Sequence, residues 1–168
     1  ENPAVQGVIT IASDYAVPVD SYAQLTQIGK PFLFVVRQAD MLSADSVSTD
    51  HVGGARALMH HLFGLGHRRI AYIGQARAVR PRHFVGYCEA LQEAGIAEDA
   101  ALMVHRDSDT PDQLGQRGVE ELLARGVPFT AIFAQIDTVA VGVLRGLRAA
   151  RLRVPHDVSV VGFDNIPI

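Results

Sequence analysis

Apolar positions in the second two-thirds of this chain recur in a regular alternation of two patterns. Ala55, Leu58, Met59 and Leu62 fall at i, i+3, i+4, i+7, the spacing of one helix face, and Gly66 offers a left-handed stop. Ile70 to Gly74 (IAYIG) is a short continuous apolar run, as expected of a strand buried on both faces of a parallel sheet. The same pair repeats three times. Phe84, Tyr87, Cys88 and Leu91 predict a helix closed by Gly95, with a strand at Leu102 to His105. Val119, Leu122 and Leu123 predict a helix closed by Gly126, with a strand at Thr130 to Ala134. Ala140, Val143, Leu144 and Leu147 predict a fourth helix, leading to a strand over Val158 to Phe163. Strands joined by helical crossovers are parallel and right-handed, so the fold class is α/β with a doubly wound sheet.

The first fifty residues are less regular. Val5 to Ala12 and Pro31 to Val36 read as buried strands, Pro18 to Gly29 as a helix, and Ser46 to Thr49 as a short edge or connecting strand.

Composition narrows the function classes. The chain has 168 residues, 48% hydrophobic and 20% charged, with a net charge of −3, which suits a soluble globular protein and argues against a broad nucleic-acid-binding face. Only Lys30 among the 15 basic residues is lysine. The rest carry the planar guanidinium suited to carboxylate, phosphate or sugar oxygens. A single cysteine, Cys88, excludes an internal disulfide framework and fits a reducing, cytoplasmic setting. No apolar run approaches the roughly 18 residues of a membrane span.

Motifs for catalysis are missing. Neither G-x-G-x-x-G nor G-x-x-x-x-G-K-[ST] occurs, and Gln75 to His83 is too long and arginine-rich for a glycine phosphate cradle. No G-x-S-x-G elbow is present. His60 and His61 point about 100° apart on a helix, which with His51 reads as solvated or capping rather than metal-binding. The chain is therefore expected not to be an enzyme and to use no cofactor or metal.

A binding rim remains. In open α/β sheets ligands sit beyond the carboxyl ends of the strands. Arg80, Arg82 and His83 follow the first strand of the regular half, Asp107 to Thr110 the second, Gln135 to Thr138 the third, and Asp164 with Asn165 the fourth. Each has a plainer reading. Asp50 and Asp137 precede helices and suit N-caps, His67 suits helix carbonyls, Ser13 and Asp14 a turn, and Arg82 a solvated loop.

Several stretches together resemble the effector-binding domain of the LacI/GalR family of transcription regulators. They are Val47-Ser48-Thr49-Asp50 with Gly53-Gly54-Ala55, Leu65-Gly66-His67-Arg68-Arg69-Ile70, Gly86-Tyr87, Thr130 to Gly142, and Val154 to Asn165. The resemblance implies a periplasmic-binding-protein-like fold of two lobes, with a ligand in the cleft between them. It implies a homodimer, and DNA binding through an N-terminal helix-turn-helix that this chain lacks. On this reading residues 1–50 form an incomplete first lobe, 51–163 the second lobe, and 164–168 the start of a crossover back, so a truncated piece is expected. Expected ligand contacts are Asp164, Arg82, His83, Gln135, Ser13 and Arg37. Departures from the family are Arg37 near its usual acid, Ile136 at its usual Asn, His83 at its ligand-clamping Arg, and Arg151 at its usual helix-ending Gly. The implied function is a small-molecule-controlled repressor domain; the alternative is a periplasmic solute-binding protein of the same fold.

Overall fold

The computed structural model describes residues 5–11, 30–35, 45–75, 81–107 and 109–167. The helix expected over Pro18 to Gly29, and Ser13, Arg37, Arg80 and Ser108, lie outside the described residues. The chain divides into two compact units, Glu1–Asp50 and His51–Ile168.

The first unit contains a parallel sheet of β1 (Val8–Ile11), β2 (Phe32–Val35) and β3 (Asp45–Val47), in that order. Val8 pairs with Phe32 and Leu33 with Asp45. Phe34 is buried, and its ring meets that of Phe32 edge-on at 4.8 Å.

The second unit runs α1 (His51–Gly64), β4 (Ile70–Gly74), α2 (Arg82–Glu93), β5 (Met103–His105), α3 (Pro111–Arg125), β6 (Ala131–Ala134), α4 (Asp137–Ala149) and β7 (Ser159–Val161). Its four strands are parallel in the order β5-β4-β6-β7. Successive strand residues face opposite sides. Ile70, Tyr72, Ala131 and Phe133 therefore pack with Ala55, Met59, Leu62, Tyr87 and Leu91 of α1 and α2. Ala71, Ile73, Ile132 and Ala134 pack with Leu114, Val119, Leu122, Val139, Val143 and Leu147 of α3 and α4. Every residue of β4 and β6 is buried, which is why both read as unbroken apolar runs. The α3 and α4 backbones touch: a Cβ on Gly142 would run into the Asp112 carbonyl, and one on Gly115 into that of Val139.

Several strands are shorter than expected, β5 and β7 among them. Ala100–Leu102 forms a 3-10 turn instead of opening β5, because the Asp99 carboxylate accepts the Ala101 N–H at 3.0 Å and closes the turn. Pairing of β7 with β6 ends at Phe133 and Val161, leaving Gly162 and Phe163 to leave the ladder.

Helix α1 ends as predicted. Gly66 takes φ 90°, donating to the Phe63 carbonyl at 3.0 Å while His67 N–H reaches Leu62 at 3.0 Å. Arg151 makes the same stop after α4 with φ 61°, its N–H on Arg148 at 3.0 Å and Leu152 N–H on Leu147 at 2.9 Å. A left-handed side-chain-bearing residue costs about 1 kcal/mol relative to glycine. The hydrogen bonds of the stop hold it there.

Candidate functional site

The carboxyl ends of β4, β6 and β7 meet helix N-termini, and the chain leaving β7 is held at two points. The Asp137 N–H donates to the Phe163 carbonyl at 2.8 Å, and the Asp137 carboxylate accepts the Ile166 N–H at 2.9 Å. Between those anchors Asp164 has φ 105° and Asn165 φ 55°, conformations that side-chain-bearing residues rarely adopt. Asp137 is thus not the N-cap of α4. Ile136 occupies that position with no side-chain cap, and Asp137 is the first helical residue. Its N–H already serves the backbone leaving β7, and its carboxylate reaches across to Ile166 rather than back into its own helix.

The Phe163 ring lies against the first turns of α1 and α2. It meets His83 edge-on at 4.6 Å and His51 at 5.5 Å, and the two imidazoles are 4.5 Å apart. Gly54 makes room for it, since a Cβ there would stand 2.6 Å from Phe163 Cε2. His83 is only 8% exposed, and its Nε2 has no hydrogen-bond partner among the described residues. Burial first, and the adjoining His51 second, push the His83 pKa down to about 4, so its ring is neutral at physiological pH. The Asp164 carboxyl is pushed above its usual value by burial and by the Asp137 charge, with His51 opposing.

A second polar knot joins β4 to β6. Gln135 Oε1 accepts the Gln75 N–H at 2.7 Å. Just beneath, the Tyr72 ring packs between Phe84 at 4.9 Å and Tyr87 at 5.3 Å. Its hydroxyl is fully buried without a partner among the described residues, and burial raises its pKa. Both that hydroxyl and Gln135 Oε1 come within 2.6 Å of where a Gly74 Cβ would stand.

The structure brings Asp164 and His83 together around His51 and Phe163. Arg82 is the first residue of α2, exposed, one position before His83. Asp50 directly precedes α1. The β5 exit serves structure instead. Asp109 is buried with Arg106 at 2.6 Å and Arg117 at 2.5 Å, and those guanidinium groups hold its carboxyl below the usual range. Thr110 caps α3 in a reciprocal pair with Gln113. His60 and Arg56 both pair with Glu93, at 3.0 and 2.6 Å, and no group of three metal-ligating side chains occurs among the described residues. His51, Phe163 and Tyr72 were not expected at the rim. His51 and Phe163 meet, and Tyr72 reaches Gly74 and Gln135, only through tertiary packing, which residue spacing does not reveal.

Residues 59–168 match the periplasmic binding protein-like domain family. The chain belongs to that family, in the form carried by LacI-type transcriptional regulators. The transcriptional regulator GalS of Salmonella typhimurium is 38% identical over 125 residues, 73% of this chain and 36% of GalS. A sugar-binding LacI-family regulator of Escherichia coli, solved with phosphate, superposes with a TM-score of 0.84 at 29% identity, over 96% of this chain and 58% of that one. A complex of the regulator CelR with cellobiose gives 0.79 at 32% identity, over 98% of this chain and 50% of CelR. The chain spans about half the length, or less, of the curated relatives it matches. Among the described residues no helix is long and apolar enough to cross a membrane.

Proposed function

We propose that this chain is the effector-sensing part of a LacI-type transcriptional regulator, and that the effector contacts the rim formed by Asp164, His83, Arg82 and Gln135. The observation that carries this reading is the clamped, left-handed Asp164 near a buried imidazole whose Nε2 has no partner among the described residues. Strain of this kind persists only where the surroundings over-determine it, and it concentrates at ligand sites. Asp164 accepts hydrogen bonds from the effector, Arg82 or His83 donates, and Gln135 offers its amide N–H, its oxygen being engaged by Gln75.

The effector is a small polar molecule, a sugar or related metabolite, in keeping with the sugar-binding regulator and the cellobiose complex among the similar structures. Binding shifts the balance between two conformations, and across a homodimer that alters the spacing of DNA-reading heads. A coupling of about 1–3 kcal/mol suffices for a useful switch. The protein acts in the cytoplasm and without catalysis. A solute-binding protein of the same fold is the other reading, and the regulators among the relatives favour the first.

Calorimetric titration of galactose, cellobiose, nucleosides and small acids into wild type and Asp164→Ala tests this. The reading expects one class to bind wild type and to weaken sharply in the variant. Undiminished binding by the variant would remove Asp164 from the site.

A further inference from the structure

Asp137 opens α4, half-buried, and the chain leaving β7 bends around it. Its N–H donates to the Phe163 carbonyl at 2.8 Å, and its Oδ2 accepts the Ile166 N–H at 2.9 Å. Its Oδ1 lies so near Gly162 that a Cβ there would run into it. One residue therefore holds the backbone on both sides of the left-handed pair Asp164 and Asn165. An acid in the first turn of a helix has a plainer use, since it suits the positive end of the helix dipole. That use does not account for a carboxylate whose two oxygens are set against residues 162 and 166.

We propose that Asp137 is a positioning residue for the candidate effector site: its side chain holds the bend that presents the Asp164 carboxyl, and it acts on the effector only through Asp164. The inference rests on the effector-binding reading and names the residue on which the geometry of that site depends.

Two adjacent side-chain-bearing residues keep left-handed conformations only where the chain is fixed around them. Here the fixing bonds come from the start of a helix whose backbone packs directly on that of α3, at Gly142 and Gly115. A helix held in this way is a firmer mount than a loop. The two bonds are also separable. Any residue but proline at position 137 keeps the N–H for Phe163, whereas only a side-chain acceptor keeps Ile166. Charge follows the same path. The Asp164 carboxyl is pushed upward by burial first and by Asp137 second, with His51 opposing.

The test is a double-mutant cycle on the intact protein. D-galactose and cellobiose are the probes, read by calorimetry or, for weak variants, by NMR shift titration. Asp137→Ala should weaken the sugar that binds by about tenfold, but by no more than about twofold when Asp164 is already alanine. In the same variant the three-bond couplings of Asp164 and Asn165 should leave the left-handed range, and the Ile166 amide should exchange faster. Asp137→Asn keeps an acceptor for Ile166, so it should bind within about threefold of wild type, while Asp164 titrates at lower pH because the like charge is gone. If Asp137→Ala does not fold, Gly162→Ala takes its place, because its Cβ displaces the carboxylate, and the same losses are expected. Unchanged couplings or affinity in Asp137→Ala overturn the inference. So does a tenfold loss (about the size seen in wild type) that persists in the Asp164→Ala background, or Asp137→Asn binding as poorly as Asp137→Ala. Undiminished binding by Asp164→Ala sinks the effector reading instead. If neither sugar binds wild type, that reading fails for sugars, and the couplings alone decide whether Asp137 holds Asp164.

Discussion

The two edges of the second sheet treat their polar side chains in opposite ways. At the edge where the strands begin, groups are spent on one another. His67 places Nδ1 2.8 Å from the Thr130 hydroxyl and Nε2 3.1 Å from that of Ser159, fastening the exit of α1 to the starts of β6 and β7. Arg69 donates to the Pro128 carbonyl at 2.6 Å, and Arg153 and Asp157 pair at 2.8 Å. At the edge where the strands end, Tyr72 and His83 keep buried polar atoms without partners among the described residues, and Asp164 and Asn165 hold left-handed backbone. A closed edge contributes stability; an edge with unmet hydrogen-bonding capacity and stored strain is where a ligand has something to gain. Arg151 shows that strain alone does not mark a site, since its left-handed turn only ends a helix.

The largest effect that separates the edges is acid sensitivity. With its folded pKa at about 4 against an ordinary 6.5, His83 is neutral in the folded state while the unfolded chain takes up the proton. Stability is complete above pH 6.5 and falls as pH drops toward 4, by about 3 kcal/mol at most. Chemical denaturation at stepped pH should show this loss in wild type and a flatter profile in His83→Gln. The carboxylates of Asp109, Asp112 and Asp157 are held below the usual range, so their contribution persists to lower pH and fails only beneath it. Asp164 works in the opposite sense: its raised pKa slightly favours the folded state as it protonates.

Next come paired variants. Asp164→Asn should weaken binding of the effector about ten- to hundredfold, the worth of a hydrogen bond to a charged group. The melting temperature should stay level or rise, because a strained, partly desolvated acid loses its charge. His67→Ala should do the reverse, costing about 1 kcal/mol by removing the two hydrogen bonds to Thr130 and Ser159 while leaving affinity within about twofold of wild type. Calorimetry and thermal unfolding on the same samples read both. The smallest effect belongs to Arg151→Gly, which should stabilise by about 1 kcal/mol in denaturant titration with affinity unchanged.

Much of this architecture was legible in the residues. Spacings of three and four with a closing glycine marked α1, α2 and α3, because those faces are buried against a sheet that is itself apolar on both sides. Arg151 was identifiable as a left-handed stop only because the family usually has glycine there. Local hydrogen bonding was harder to foresee. The Asp99 carboxylate turns Ala100–Leu102 into a 3-10 turn, and the backbone leaving β7 takes Asp137 away from capping. The proposed site is only partly legible. Asp164, His83 and Gln135 follow strand ends, whereas His51 and Phe163 join them only because α1, α2 and β7 converge in space. Asp109, equally placed by strand order, turned out to be held by two arginines.

The central claim, that ligand engages the edge where the strands end, is tested most directly by amide hydrogen exchange with and without a saturating neutral sugar that binds. The account predicts slower exchange at residues 51–54, 82–84 and 162–166, with no change around His67, Thr130 and Ser159. Protection confined to the latter group, with the Asp164 segment unaltered, would contradict it.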